Sequence, residues 1–529
     1  MKKYLIYIFV ITVISISCTE EFLDEPIRGQ QQLDDFFTSE EACIRFVNGT
    51  YEMLNGNIWR DVAFFRSMSD MATDDMWAGN TIQPRPDITG HAHYTINNPG
   101  SPYYSDFWKS MYLGITRCNL ALEKIPKVEM DQKLKDRLLS EVKFLRALYY
   151  FELVINFGGI PITLDFNELF ESGILYYERS EPEKVWKVIE SDLKEAKDVL
   201  PEKSELSKEE LGRATRGAAL SYLAKAYLFQ EKWTEAQATA LLVISSNEYD
   251  LEPDFANVWS VENHHGIESI FEVEYIYEPT FDNVSGIGGS LSIMEGSRAY
   301  RPGWGWGTPT SDLENAFLSE KDSIRLRSTI IKHGNPVYGD PAIPVFDALP
   351  EENKSGRINR KFYIPIAQRP DPYEIGKLPL SHIHMRYADL LLIHAEASFF
   401  AGDTENALGS LKKVRDRVGL ITDMGLSGEA LRNAIWKERR LELALECHRL
   451  FDLRRQKIDG TPLIAKILGI NGSFVHYNVN LNTDKFETTN NHEAMNKGEY
   501  FDINVHLVWP IPPEEIQRSE GRIKQNPGY

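Results

Sequence analysis

The sequence predicts a mostly α-helical protein with a loop-rich, partly β face, and three observations carry that reading. Apolar residues recur at i, i+3 and i+4 over 41–54, 107–125, 133–157, 182–200, 213–230 and 233–246. Some of these helices read as pairs that share one pattern of small and aromatic residues. Between the pairs, over about 255–380, helical period is lost and Gly, Pro, Asn and aromatic residues crowd in.

The chain opens with Lys2 and Lys3, then an uncharged apolar run from Tyr4 to Ile16, then Ser17 and Cys18. A basic start, a run too short for a stable membrane helix and small residues before a cut site describe a secretory signal peptide over 1–17. A cysteine at the cut site is what lipoprotein processing requires, so Cys18 is the predicted lipidation site. Ser15-Ile16-Ser17 lacks the Leu usual three places before such a cysteine. Residues 18–30 read as an acidic tether, Thr19-Glu20-Glu21-Phe22-Leu23-Asp24-Glu25-Pro26, holding the rest away from a bilayer. Acyl chains bind membranes by about 0.8 kcal/mol per buried methylene, so several make a lasting anchor.

The paired helices follow. Leu220, Leu223, Ala224 and Tyr227, with Ala236 further on, fit the tetratricopeptide pattern, in which small residues let antiparallel helices approach and an aromatic fills the groove. Ala240 and Glu248 depart from that pattern. A second copy runs from Tyr387-Ala388-Asp389-Leu390-Leu391-Leu392 through Ala395 to Ala407, turning at Gly402-Asp403. A third begins at Leu145-Arg146-Ala147 with Tyr150. Its helix ends at Phe157-Gly158-Gly159-Ile160-Pro161, where glycines and then proline stop it. The helical scaffold is thus placed at about 31–76, 107–250 and 384–456. The loop-rich face is placed at about 77–106, 255–380 and 469–506, all within one domain over 31–529. Runs such as Ile270-Phe271-Glu272-Val273-Glu274-Tyr275 alternate weakly, as strands do.

Composition narrows the function. Lys+Arg 58 against Asp+Glu 78 gives a net charge of −20, which argues against nucleic acid and against docking on anionic lipid. Beyond Cys18, three cysteines remain, too few for a disulfide framework, and Cys43, Cys118 and Cys447 read as buried thiols. Glu438, Glu442 and Glu446 recur every four residues and so share a helix face, with Arg439 and Arg440 interleaved. That segment reads as interhelical ion pairing, for which the planar guanidinium is suited. His91/His93 and His382/His384 would share strand faces, but a zinc site needs further ligands that nothing in the sequence supplies. No metal or cofactor is predicted. Gly286-x-Gly288-Gly289 reads as a loop, with no phosphate-binding helix start. No pair of carboxylates stands out as a hydrolase acid and base; Asp74-Asp75 beside Trp77 reads instead as an acceptor for sugar hydroxyls.

The recognition signal is aromatic. Tyr300-Arg301-Pro302-Gly303-Trp304-Gly305-Trp306-Gly307 sets two indoles among glycines, which predicts rings presented rather than buried. A flat indole suits the C–H face of a sugar, with Asn, Asp and Arg at its rim. Asp74-Asp75-Met76-Trp77-Ala78-Gly79-Asn80 forms a second aromatic cluster. Trp59, Trp108, Trp186, Trp233, Trp259, Trp436 and Trp509 are predicted core or interface residues.

Taken together, the motifs resemble the SusD/RagB outer-membrane lipoproteins of Bacteroidetes. The segments in order are Cys18 with its acidic tether, Leu145-Arg146-Ala147 with Tyr150-Phe151 and Gly158-x-x-Pro161, and Pro309-Thr310-x-Asp312-Leu313 with Ala316-Phe317. Then come Arg386 to Leu392 with Ala395-Glu396-Ala397, Glu438 to Ala444 with His448-Arg449-x-Phe451 to Arg455, and finally Trp509-Pro510-Ile511-Pro512 and Gln525-Asn526-Pro527-Gly528-Tyr529. The resemblance implies a SusD-like fold on four tetratricopeptide-like pairs. It implies a non-enzymatic cell-surface lipoprotein that captures an oligosaccharide and serves as the lid of a SusC-like TonB-dependent transporter in the outer membrane, facing the cell exterior. The alternatives are a binder of peptides or glycoprotein fragments for such a transporter and, further off, a glycan hydrolase. Family contacts lie near residues 77 and 300, so Asp75, Trp77, Asn80, Tyr300, Arg301, Trp304 and Trp306 are the expected ligand-binding residues.

Overall fold

The structure is a computed structural model. It describes residues 36–54, 68–79, 86–95, 99–166, 178–278, 288–300, 302–349, 355–468, 472–474, 477–480, 485–488 and 500–529. The predicted signal, Cys18 and the tether lie outside these residues, as do Trp59, Asn80, Gly286 and Arg301. Among the described residues no helix is long and apolar enough to cross a membrane.

The predicted helix pairs form. Helix α1 (Glu40–Tyr51) packs on α2 (Pro102–Lys124) and α3 (Gln132–Phe157), and α3 lies against α4 (Pro182–Lys197). Helices α5 (Arg216–Phe229) and α6 (Trp233–Ile244) make the next pair, and α7 (Tyr387–Phe400) and α8 (Thr404–Arg417) a further one. The alanines do what the repeat pattern requires. Ala224, Ala236, Ala395 and Ala407 are all fully buried, where a larger side chain would push the helices apart. Between neighbouring pairs, Trp233 of α6 stacks on Phe400 of α7 with centroids 4.4 Å apart.

Local chemistry sets the helix ends. Asp131, Thr215 and Asp403 each accept a hydrogen bond from the backbone N–H three residues on, at 2.9, 3.1 and 3.1 Å, capping α3, α5 and α8. Gly158 ends α3 with φ +73° while its N–H donates to Val154 O at 2.9 Å. The turn at Gly402-Asp403 sits where the sequence placed it, with Gly402 at φ +84°.

One predicted loop is partly helical. Residues 77–106 contain a helix at Pro86–His93 and the first turns of α2. Pro102 stands at the start of α2, where a missing N–H costs nothing and a fixed φ helps. Tyr103, Tyr104, Phe107 and Trp108 supply the buried stripe. Pro102, Tyr103 and Tyr104, which looked like loop, are therefore helix-start chemistry.

The remaining layer consists of short helices and two-stranded ribbons. Ser269–Val273 pairs with His382–Arg386, and Ile330–Lys332 with Arg357–Asn359, both antiparallel. Helix α9 (Gly428–Glu442) joins this layer to the paired helices through buried ion pairs. Glu438 and Glu442 share a face of α9 as predicted, but the helix ends there and Glu446 lies in the turn beyond it. Leu445 and Cys447 have positive φ in that turn, so Cys447 is in a turn rather than a helix. Cys43 and Cys118 are buried free thiols, as expected.

All three glutamates are nonetheless paired. Arg386 donates to Glu446 at 2.7 and 2.8 Å, to Glu268 at 2.7 Å and to Glu442 at 2.6 Å. Arg325 binds Glu438 at 2.6 Å and Glu442 at 3.0 Å, and Arg417 also reaches Glu442. Lys361 closes on Glu446 at 2.5 Å. Arg439 spans Asp389 at 2.6 Å and Asp452 at 2.7 Å. Burial works to raise the Glu442 carboxyl, but Arg417, Arg386 and Arg325 outweigh it and hold it well below the usual carboxylate range.

Breaking one partner leaves other charges buried without compensation. Glu442→Ala is therefore expected to cost about 3–5 kcal/mol in urea unfolding, and a loss below about 1 kcal/mol would contradict this account. The Glu442 carboxyl titrates lower in the folded protein than in the unfolded chain. Its stabilising contribution is full above about pH 4.3, the ordinary Glu value, and drains away as pH falls below it. Stability measured against pH should accordingly fall below about pH 4 in the native protein and fall less steeply in Glu442→Gln.

Candidate ligand-binding site

The two aromatic clusters meet in space. Strand β1 (Met76–Gly79) pairs antiparallel with β2 (Trp306–Pro309), placing Met76 opposite Pro309, Trp77 opposite Thr308 and Gly79 opposite Trp306. Side-chain bonds extend the clasp. Thr310 donates from Oγ1 to Asp74 O at 2.6 Å and from its N–H to Asp75 O at 2.9 Å, while its Oγ1 also accepts from Leu313 N at 3.2 Å. The Pro309-Thr310-x-Asp312 motif is thus a helix cap and a strand clasp at once.

Arginines from the α9 region anchor the ribbon. Arg440 donates to Asp75 Oδ1 at 2.6 and 2.8 Å and to Asp312 at 2.6 Å. Arg449 grips Asp74 through both carboxylate oxygens at 2.9 and 2.8 Å. Burial raises both aspartates. At Asp74 the two arginines win and hold the carboxyl below its usual range; at Asp75 burial and the adjacent Asp74 charge leave it raised. The expectation that Asp75 faces a ligand is corrected: it is fully buried, and its Oδ1 accepts from Arg440. The same contacts remove Asp74 and Asp75 as hydroxyl acceptors.

The glycines also act differently from expectation. A Cβ at Gly79 would lie 2.2 Å from Gly305 O, and one at Gly303 would lie 2.3 Å from Ser297 O. They permit close backbone approach, with Trp304 N donating to Ile293 O and Gly305 N to Gly296 O, both at 2.8 Å. The loop is folded back on the body instead of extended into solvent. Trp306 is consequently 8 % exposed and Trp77 6 %, so neither ring is presented. Trp77 lies 6.1 Å from both His93 and Phe474.

Trp304 and Tyr300 retain part of their surface. Trp304 is half-buried and meets the edge of Trp306 at 4.7 Å. Tyr300 stacks on Phe346 at 5.7 Å; its hydroxyl donates to Val345 O at 3.2 Å and accepts from Asp347 N at 3.1 Å. Sequence reasoning missed Phe346 and Phe474, and it read His93 only with His91. Phe346 and Phe474 are distant in the chain from their partner rings, so no local pattern marks them.

The other assignments are settled similarly. Trp108, Trp186, Trp259, Trp436 and Trp509 are buried and Trp233 is partly buried against the core, as predicted. His91 and His93 lie on a helix, not a strand, whereas the rings of His382 and His384 do adjoin, 4.6 Å apart on one strand. Among the described residues no group of three or more His, Cys, Asp or Glu is arranged to hold a metal ion.

Comparison with known proteins places this fold. A sequence profile described as the SusD family matches residues 268–529, and one described as starch-binding associating with outer membrane matches residues 21–228. The chain belongs to the SusD family. It is 26% identical to a SusD-like protein of Formosa agariphila over 100% of both chains. A solved structure of a laminarin-binding SusD-like protein is 28% identical, with a TM-score of 0.75 over 93% of this chain and 100% of that one. A SusD homologue from Bacteroides thetaiotaomicron shares the fold, with a TM-score of 0.76 at 23% identity over 94% of this chain and 98% of that one.

In this SusD-family chain the ribbon depends on Gly79, which combines φ +71° with the closest backbone approach in the site. Gly79→Ala is expected to lower stability by at least about 1–2 kcal/mol from the left-handed backbone alone. A melting temperature equal to that of the native protein would contradict the packing described.

Proposed function

We propose that this protein is a non-catalytic glycan-binding lipoprotein of the outer membrane, facing the cell exterior, that captures an oligosaccharide and passes it to a SusC-like TonB-dependent transporter as its lid. Cys18 is its lipid attachment. The observation that carries the binding site is the half-buried Trp304 braced edge-on by buried Trp306, with Tyr300 nearby in the chain and stacked on Phe346. A ring held rigidly by its neighbours stacks on a sugar face with little further loss of freedom. Asn80 and Arg301 are proposed to serve the sugar rim, and Trp77 and Trp306 to support the ring that makes contact.

The family profile's description as starch-binding supports a glycan, and the 28% identical relative binds laminarin. The burial of Asp74 and Asp75 supports binding without turnover, because neither carboxyl reaches the surface to act as a hydrolytic acid or base.

Calorimetry with laminari- and malto-oligosaccharides tests the reading. Trp304→Ala is expected to weaken binding about fivefold, from a loss of about 1 kcal/mol, in a domain that still folds with a modestly lowered melting temperature. Trp306→Ala is expected to destabilise the fold by about 3–5 kcal/mol, because its ring is buried. Native affinity in Trp304→Ala would remove the ribbon as the binding site.

A further inference from the structure

We propose a second site, apart from the ribbon, that takes an anionic group carried on a sugar ring, a carboxylate or a sulfate, against Arg360. This rests on the reading that the protein binds glycans. The site is a cavity of about 200 Å³ lined by Asn257, Trp259, Tyr338, Arg360, Tyr363 and Gln368.

Arg360 is 8 % exposed, and its guanidinium is only partly satisfied. Nε donates to Tyr338 O at 2.9 Å and Nη1 to Tyr363 O at 3.4 Å. Nη2 has no hydrogen-bond partner among the described residues and lies beside Gly339, which lines the same cavity. Of the nearby carboxylates, Asp340 accepts from the Tyr363 hydroxyl at 2.6 Å and from Ile366 N at 2.8 Å, and Asp254, which lines the same cavity, accepts from Ala256 N at 3.1 Å; neither forms an ion pair with Arg360. Burial pushes the Arg360 pKa down against the pull of Tyr363 and Asp340, as it does for a cation short of compensation.

Two more arginines stack on tyrosines around the cavity, Arg369 half-buried and Arg327 exposed. Arg369 lies over Tyr363 at 5.4 Å and Tyr373 at 4.7 Å, and its Nε donates to Ile364 O at 3.0 Å. Arg327 lies over Tyr338 at 4.3 Å. None of the three forms an ion pair among the described residues, whereas Arg325, Arg386, Arg439, Arg440, Arg449 and Arg455 all do. In a chain of net charge −20, these three arginines meet tyrosine faces and backbone carbonyls and no carboxylate within ion-pair distance. A guanidinium matches the planar oxygens of a carboxylate or the tetrahedral oxygens of a sulfate. The tyrosine rings and the amides of Asn257 and Gln368 suit the rest of a sugar.

Ligand-observed NMR on the purified protein tests this with glucuronic acid, glucose 6-sulfate, glucose and inorganic sulfate. Binding of either anionic sugar, weakened about tenfold in both Arg360→Gln and Arg369→Gln and unchanged in Trp304→Ala, is the expected result. Arg369 is more accessible than Arg360, so Arg369→Gln keeps the test valid if Arg360→Gln fails to fold. The proposal is overturned if neither anionic sugar binds, if Arg369→Gln binds them as well as the native protein, or if inorganic sulfate binds as tightly as glucose 6-sulfate. Loss of anionic-sugar binding in Trp304→Ala alone would overturn it while leaving the ribbon reading intact. Laminari-oligosaccharide affinity unchanged in Trp304→Ala would sink the ribbon reading and leave this one standing.

Discussion

The buried charge network around α9 is the constraint on which the rest of the structure depends. Helix packing alone explains the paired scaffold, because alanine-lined interfaces and aromatic fillers need nothing beyond apolar contact. The loop-rich layer has no such repeat. Its short strands and helices bury apolar side chains against the scaffold and in a small cluster of their own around Ile331, Phe346 and Ile358, contacts that are non-directional and leave register open. Arginines and glutamates from 438–455 bind Arg325, Lys361 and Arg386 on one side and Asp389 and Glu396 on the other. Such pairs are costly to bury, and hydrophobic replacements often stabilise as well. What they add here is register: each fork-and-carboxylate match is satisfied in one arrangement of the layer against the scaffold.

That constraint reaches the site directly. Arg440 and Arg449 hold Asp75 and Asp74, the residues immediately before β1. β1 in turn carries β2, and β2 carries Trp306 beneath Trp304. The chain of support runs from a buried arginine to a half-buried indole without a flexible link. A weak ligand benefits, since a ring already fixed in place leaves little to order on binding.

Much of the fold was legible because its signals are local. Helical period marks α3 and α5, the repeat pattern marks α7, and the small residues at Ala224, Ala236 and Ala395 mark the pairing. The alternation of Glu and Arg over 438–442 announces ion pairing, which the structure bears out. Where reading failed, the missing information was non-local. Pro86 and Pro102 look like loop residues until the helix that follows them is seen. The glycines at 303, 305 and 307 read as freeing the indoles, and only the approach of Gly79, Gly296 and Ser297 shows that they draw the loop inward. The Arg–Tyr patch left no sequence trace because Arg327, Arg360 and Arg369 are set apart in the chain, and an arginine without a partner looks like any other.

Hydrogen exchange in Arg440→Ala tests the central claim most directly. If the charge network positions the ribbon, the amides of residues 76–79 and 306–310 lose protection in the variant, while those of α5, α6, α7 and α8 keep theirs. Protection of the ribbon at the native level would show that the strands hold themselves in place and that the buried arginine is incidental to the site.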